Sequence, residues 1–279
     1  MTQPMLGLPR EVYQRLLESV TCIVHNAWTI SAKRPIAGFE AQFEIMGNLL
    51  CMSSKIAALR PRDCKIRFVF VSSIAVVGHY PMWKDTAHVL EERVAIEAVL
   101  PNGYGDAKWA YELFATSSIR VRQIAGSRKS GYWNPMEHTS FLWKSSQMLK
   151  AIPNLRGLLS WTPVDDVAGT VVDLSEVTDA PHAIYNIDNP IRQQWSDMIP
   201  VLATALGIPQ ANIVSLVREC ERDAKTAANP ASMLLKFLED NFLRMSCSGL
   251  LLGTDKAREH SETLRGVQPV SDKVTRRFV

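Results

Sequence analysis

Apolar residues recur at helical spacing at Leu8, Val12, Leu16 and Val20, following Pro9, whose fixed φ suits a first helical turn. Thr21 to Val24 is short, apolar and partly β-branched, which predicts a buried strand directly after that helix. The unit then repeats. Phe39 to Ala58 has helical period, Pro61 to Lys65 is a polar break, and Ile66 to Val71 is a continuous apolar strand. A third copy follows Leu100: Tyr104 to Thr116 is helical in period, Ser117 and Ser118 break it, and Ile119 to Ile124 predicts another strand, ending at Gly126. Strands that alternate with helices and are apolar throughout imply a parallel sheet of right-handed crossovers, covered on both faces. The expected fold class is therefore α/β: a partial doubly wound, Rossmann-like parallel sheet with a smaller, mainly helical carboxy-terminal lobe.

From Gly131 the pattern changes, with Trp133, Pro135, Trp143, Pro153, Trp161 and Pro163 in irregular sequence. One further strand is expected near Ala183 to Ile187, then helices over Trp195 to Leu206 and Ala231 to Met245, then a polar tail. A boundary near Ala125 to Gly131 divides residues 1–130, the dinucleotide-binding part, from residues 131–279, a substrate-facing lobe interleaved with the last sheet strand.

At 279 residues and 47% apolar content, the chain can build one ordinary core and a smaller lobe. Its 31 basic and 28 acidic residues nearly balance, and no Lys/Arg stripe runs along it, so nucleic acid is not an expected partner. Cys22, Cys51, Cys64, Cys220 and Cys247 are odd in number, scattered and without C-x-x-C spacing, which fits a reduced, cytoplasmic setting. Met1 to Val20 carries Glu11, Arg15 and Glu18 on an amphipathic pattern, unlike a signal peptide or a membrane span.

Tyr104 and Lys108 stand four apart on a predicted helix, where side chains at that spacing meet. An ammonium beside a phenol is expected to draw its pKa down from about 10 towards the working range of a proton donor. The strand Phe68 to Val71 ends in Ser72 and Ser73, and ligands of open parallel sheets bind beyond the carboxyl ends of strands. A hydroxyl at Ser73 can hydrogen-bond a carbonyl and stabilise negative charge developing on it. The plainer role, capping the segment that follows, falls more naturally on Ser72. At the end of the first strand, His25-Asn26-Ala27-Trp28 places small and amide-bearing residues where a cofactor's ribose and phosphate can approach the backbone. His25 has no second ligand at metal spacing, so no metal is expected there. Asn48, on the following helix, is a candidate for holding backbone or water near the site. Asp165 and Asp166 suit caps of a helix starting near Val167.

The stretches VTCIVHNAW, RFVFVSSIAVVG, GYGDAKWAYE, IRVRQIAG, GYWNPMEH, WTPVDDVAG and NPASMLLKFLEDNF together resemble the extended short-chain dehydrogenase/reductases. They resemble more closely the thioester reductase domains of fungal nonribosomal-peptide-synthetase-like enzymes and of carboxylic acid or aminoadipate reductases. The resemblance implies NADP, with NAD as the alternative, and an acyl thioester carried on the phosphopantetheine of a carrier protein, reduced to aldehyde or alcohol. It implies that Ser73 polarises the carbonyl, Tyr104 delivers the proton, and Lys108 binds the nicotinamide ribose and tunes Tyr104. Asn26, Ala27 and Ser72 would border the cofactor, with Gln123, Ile124 and Gly126 on its nicotinamide side. Trp133, Asn134 and Glu137 would lie near the substrate or its pantetheine arm.

The sequence departs from that family at one point. None of its 14 glycines forms the G-x-x-G-x-x-G turn that holds a dinucleotide pyrophosphate. Thr21 to Val24 matches the family's fourth strand, which makes it an expected uncovered edge, open to pairing with another chain. Two other functions stay open on these grounds. One is a non-catalytic truncated remnant or interaction module; the other is an extended dehydrogenase acting on a small carbonyl compound or a nucleotide-sugar.

Overall fold

The computed structural model describes residues 1–31, 33–61, 65–210, 213–214 and 238–279. Four parallel strands pair in chain order: β1 (Cys22–His25), β2 (Arg67–Val71), β3 (Ser117–Val121) and β4 (Ile184–Ile187). Their register runs Ile23 to Phe68, Phe70 to Ser118 and Ser118 to Ile184. The helices that position the site are α1 (Arg10–Ser19), α2 (Glu40–Leu59), α3 (Gly103–Glu112), α4 (His138–Leu149), α5 (Val164–Glu176) and α6 (Trp195–Ala205).

Alternation along each strand sorts side chains to the two faces. Ile23, Phe68 and Phe70 pack with Tyr13 and Leu17 of α1, Met46, Leu49, Met52 and Ile56 of α2, and Tyr111 of α3. Val69, Ile119 and Val121 pack with Val167 and Leu174 of α5 and with Ala257, Leu264 and Val267 near the end of the chain. The carboxy-terminal lobe has its own core, in which Trp133 and Trp195 both meet Trp161 edge-on, at 5.0 and 5.5 Å between ring centroids.

Several expectations shift. The third strand starts at Ser117, two residues early, and α3 stops at Glu112. Thr116 is already tied to the sheet, donating its amide N–H to Phe68 O at 2.9 Å, so the helix must end before it. Ser117 and Ser118 therefore form strand rather than break, and the Ser117 hydroxyl donates to His182 O at 2.8 Å. The polar tail is structured: it folds into short helices at Asp255–His260, Glu262–Gly266 and Asp272–Thr275, and Phe278 is buried against Trp133. α5 begins at Val164, which puts Asp165 and Asp166 in its first turn, where carboxylates favour the helix dipole, rather than at a cap. Their carboxylates hold the preceding loop: Asp165 accepts from the Arg128 amide at 2.6 Å and Asp166 from Arg128 Nε at 2.8 Å. Asn48 donates to Met1 O and Gln3 O, and so secures the amino-terminal segment instead of the site. Of the helix expected over Ala231 to Met245, residues 231–237 lie outside the described residues, as do Cys64 and Cys220; a π turn at Leu238–Phe242 runs into Leu243–Ser246. The remaining cysteines, Cys22, Cys51 and Cys247, are free thiols.

Among the described residues β1 pairs on one side only, and Val24 is 42% exposed along it. Among the described residues, no helix is long and apolar enough to cross a membrane.

Candidate functional site

The carboxyl ends of β2 and β3 lie side by side, with Ser72 N–H donating to Ile119 O at 2.7 Å. The chain leaves β2 through Ser72 and Ser73 and then enters a short 3₁₀ turn, Ile74–Val77. Ser73, not Ser72, caps that turn: its Oγ accepts the Ala75 amide at 3.2 Å. The Ser72 hydroxyl is buried and donates to Glu112 Oε1 at 2.6 Å, so Ser72 can offer a cofactor only backbone.

Asn102 starts α3 by accepting the Gly105 N–H on its side-chain oxygen at 2.8 Å. That fixes Tyr104 in the first turn and Lys108 one turn on. The flanking glycines permit this placement. A Cβ on Gly103 would stand 2.4 Å from Arg34 O and Ile36 N, and one on Gly105 would stand 2.6 Å from Leu100 O. Bare backbone at both positions lets two loops close around the tyrosine.

The Ser73 hydroxyl neighbours the Tyr104 phenol. Burial raises the Tyr104 pKa and the nearby Ser73 hydroxyl opposes the rise, so the phenol stays protonated. The expected lowering by Lys108 is not the ruling effect. Lys108 Nζ lies 5.8 Å from the centre of the Tyr104 ring and donates to Val71 O at 2.6 Å. Its own pKa is pushed down to about 7, chiefly by burial, with the Glu112 carboxylate opposing the shift. Aromatic faces enclose it: Trp28 at 4.6 Å and Phe70 at 4.5 Å.

Glu112 and Trp28 also border the Lys108 ammonium, and the Tyr-x-x-x-Lys spacing singles out neither. Glu112 stands one turn beyond Lys108, accepts from Ser72, and forms a buried ion pair with Arg120 of β3 at 2.7 Å. Arg120 and Arg122 inside a predicted strand were the available signal, since a buried guanidinium needs a carboxylate.

At β1, Asn26 and Ala27 are exposed just beyond the strand end. His25 is buried and stacked against Phe70 and Tyr111, each at 5.9 Å, and burial pushes its pKa down to about 4. His25 Nε2 and Trp28 Nε1 are buried with no hydrogen-bond partner among the described residues. Two unsatisfied ring nitrogens beside Lys108 suit a polar ligand entering this wall, as a nicotinamide ribose would. The residues present fit that end of a dinucleotide.

Beyond β3, Gln123 Nε2 donates to Glu137 Oε2 at 3.0 Å, and Trp133 Nε1 donates to the same oxygen at 3.3 Å. Burial raises the Glu137 pKa, and both hydrogen bonds oppose it. Ile124 pairs with Thr162, and Gly126 lies against Phe278 and Tyr132 O. Trp133 is only 8% exposed and belongs to the lobe's core, so packing is its role here; the open aromatic of that loop is Tyr132, 68% exposed. Asn134 is exposed, with its side-chain oxygen accepting from Met136 N–H at 3.0 Å.

Sheet, crossovers and strand-end crest define an NAD(P)-binding Rossmann-like fold of the reductase-domain type. Residues 1–171 match the NAD-binding family described as Male sterility protein, and the chain belongs to that family. All of it aligns with fungal non-reducing polyketide synthases: 51% identity over 295 residues with pigA of Monascus ruber, and 50% over 298 residues with the 3-methylorcinaldehyde synthase tropA of Talaromyces stipitatus. It spans 11% of the length of each. These relatives widen the expected setting from nonribosomal-peptide-synthetase-like enzymes to polyketide synthases. The fold is also that of the terminal R domain from the myxalamid PKS-NRPS pathway, at a TM-score of 0.76 and 20% identity, covering 99% of this chain and 72% of that one.

Proposed function

We propose that the chain carries the reducing chemistry that releases an acyl thioester from a carrier-protein phosphopantetheine as an aldehyde, with NADPH as reductant. The observation that carries this reading is that Ser73, at the carboxyl end of β2, neighbours Tyr104 in the first turn of α3, with Lys108 one helical turn on. The name of the 3-methylorcinaldehyde synthase, an aldehyde producer aligned over this whole chain, supports aldehyde over alcohol.

In this mechanism the Ser73 hydroxyl donates to the thioester carbonyl oxygen and strengthens that bond as charge builds there. The bound reduced nicotinamide supplies hydride to the carbonyl carbon. Tyr104, held protonated by burial, gives its proton to the oxyanion. Lys108, charged below about pH 7, offers the ribose hydroxyls an ammonium and shares its field with Tyr104. The carbon–sulfur bond of the resulting thiohemiacetal then breaks, and thiol and aldehyde leave. Asn26, Ala27 and the Ser72 backbone border the cofactor; Gln123, Ile124 and Gly126 line its nicotinamide side; Tyr132, Asn134 and Glu137 face the arriving pantetheine.

Weak cofactor affinity belongs to this reading, because no glycine turn of the pyrophosphate-holding kind occurs in the sequence. Activity is therefore assayed at millimolar NADPH with an acyl-phosphopantetheine thioester, trapping the aldehyde as its hydrazone. Aldehyde in step with NADPH oxidation is the expected result. Turnover of free ketones with none of the thioester would overturn it in favour of a small-carbonyl dehydrogenase. A non-catalytic interaction module is the second reading, favoured by the open β1 edge, and no turnover of either substrate would select it.

A further inference from the structure

We propose that His182, Glu259 and His260 form a binding site for a divalent transition metal of the zinc type, remote from the reducing chemistry. His182 lies just before β4, while Glu259 and His260 end the short helix Asp255–His260. The ligating atoms of all three lie within 4.8 Å of one another. His182 Nε2 is 3.3 Å from Glu259 Oε2, and His260 Nε2 is 3.9 Å from Glu259 Oε1. The two imidazoles are nearly parallel, 5.0 Å apart between centroids with 15° between planes.

The surroundings of His260 are those of a metal ligand. Its Nδ1 lies 2.8 Å from the Tyr185 hydroxyl, and that hydroxyl also accepts the His182 backbone N–H at 2.9 Å. With a metal on Nε2, the Nδ1–H donates to the phenol oxygen, fixing ring orientation and tautomer in the way metal-bound histidines are held by outer partners. One tyrosine thus braces both histidines, one through its ring and one through its backbone.

Zinc binds imidazole nitrogen and carboxylate oxygen at about 2.0–2.2 Å, and three protein ligands leave a fourth position for water. Small side-chain rotations bring the three atoms to that spacing. Two nitrogens and one carboxylate select zinc, copper or nickel over magnesium and calcium, which prefer all-oxygen shells. Glu259 is 64% exposed, so an ion reaches the site from solvent without opening the fold. A plain surface ion pair between His182 and Glu259 would contribute about 0–1 kcal/mol and needs neither the second imidazole nor the tyrosine brace.

Because the strands are parallel, His182 sits at the amino end of the sheet and Ser73 at its carboxyl end. The metal would therefore clip the helix Asp255–His260 onto β4 without touching the reacting groups, and the proposal stands apart from the assigned reaction.

Chelator-stripped protein is titrated with Co²⁺, reading the visible ligand-field bands, and Zn²⁺ affinity is then measured by displacement. One equivalent should bind, with the thermal midpoint rising on Zn²⁺ addition. His182→Ala and His260→Ala should each weaken binding at least tenfold, and Tyr185→Phe about tenfold. Cys51→Ser, removing an exposed thiol, should leave binding unchanged. Circular dichroism confirms that each variant is folded, and His260→Gln replaces any that is not. Equal affinity in wild type and in the double histidine variant, or no stoichiometric binding by wild type, would overturn the proposal.

Discussion

The two borders of the sheet, β1 and β4, each have one strand neighbour, yet they are finished differently. On β4 the side chains of other elements close the border. The Asn186 amide donates to the buried Glu91 carboxylate at 2.9 Å, and the Asn186 side chain donates to Gly253 O at 2.8 Å. Glu91 also accepts the Lys256 and Ala257 amides, seating the helix Asp255–His260 against the strand. Among the described residues β1 has no such cover, and Val24 stays open. A sheet border is thus a polar accounting problem: β4 solves it within these residues, and β1 presents a template for another strand. The proposed reducing site lies between them, at β2 and α3.

Tests that break this contrast rank by size. Tyr104→Phe should lower single-turnover reduction by about 10²–10⁴, the ordinary worth of a placed general acid, with the thermal midpoint unchanged. Glu91→Ala should cost about 2–4 kcal/mol in urea unfolding, since it strands three buried amides at the closed border. At the open border, Val24→Lys should change stability by less than about 0.5 kcal/mol while reducing concentration-dependent self-association in sedimentation. The smallest effect is on pH dependence. A reaction that needs the Lys108 ammonium loses rate as pH rises through about 7, and Tyr104, whose pKa is raised, adds no opposing limb near neutrality. Glu112→Gln removes the charge that holds the Lys108 pKa up, so the limb should move to lower pH; an unmoved limb would assign it to another group.

Much of this was legible in the sequence because it depends on short periods. Spacing of four on a helix paired Tyr104 with Lys108, and an apolar run ending in hydroxyls placed Ser73 at a strand end. The roles within Ser72-Ser73 were not legible, since they turn on which hydroxyl faces Glu112, a residue 40 positions away. Trp133 read as a substrate-side aromatic because its burial depends on Phe278 at the far end of the chain. The expectation that Lys108 lowers the tyrosine's pKa overlooked desolvation, which a linear sequence does not display. The His182 and Glu259 pairing spans 77 positions and carries no local signature.

The central proposal is that Ser73, Tyr104 and Lys108 carry the reducing chemistry and meet the nicotinamide end of a dinucleotide, while none of the 14 glycines forms a pyrophosphate-holding turn. Titrating the chain with NADPH while following the fluorescence of its tryptophans, Trp28 among them, tests this most directly. The account predicts no saturation across the micromolar range; a saturable signal with a micromolar dissociation constant would contradict it.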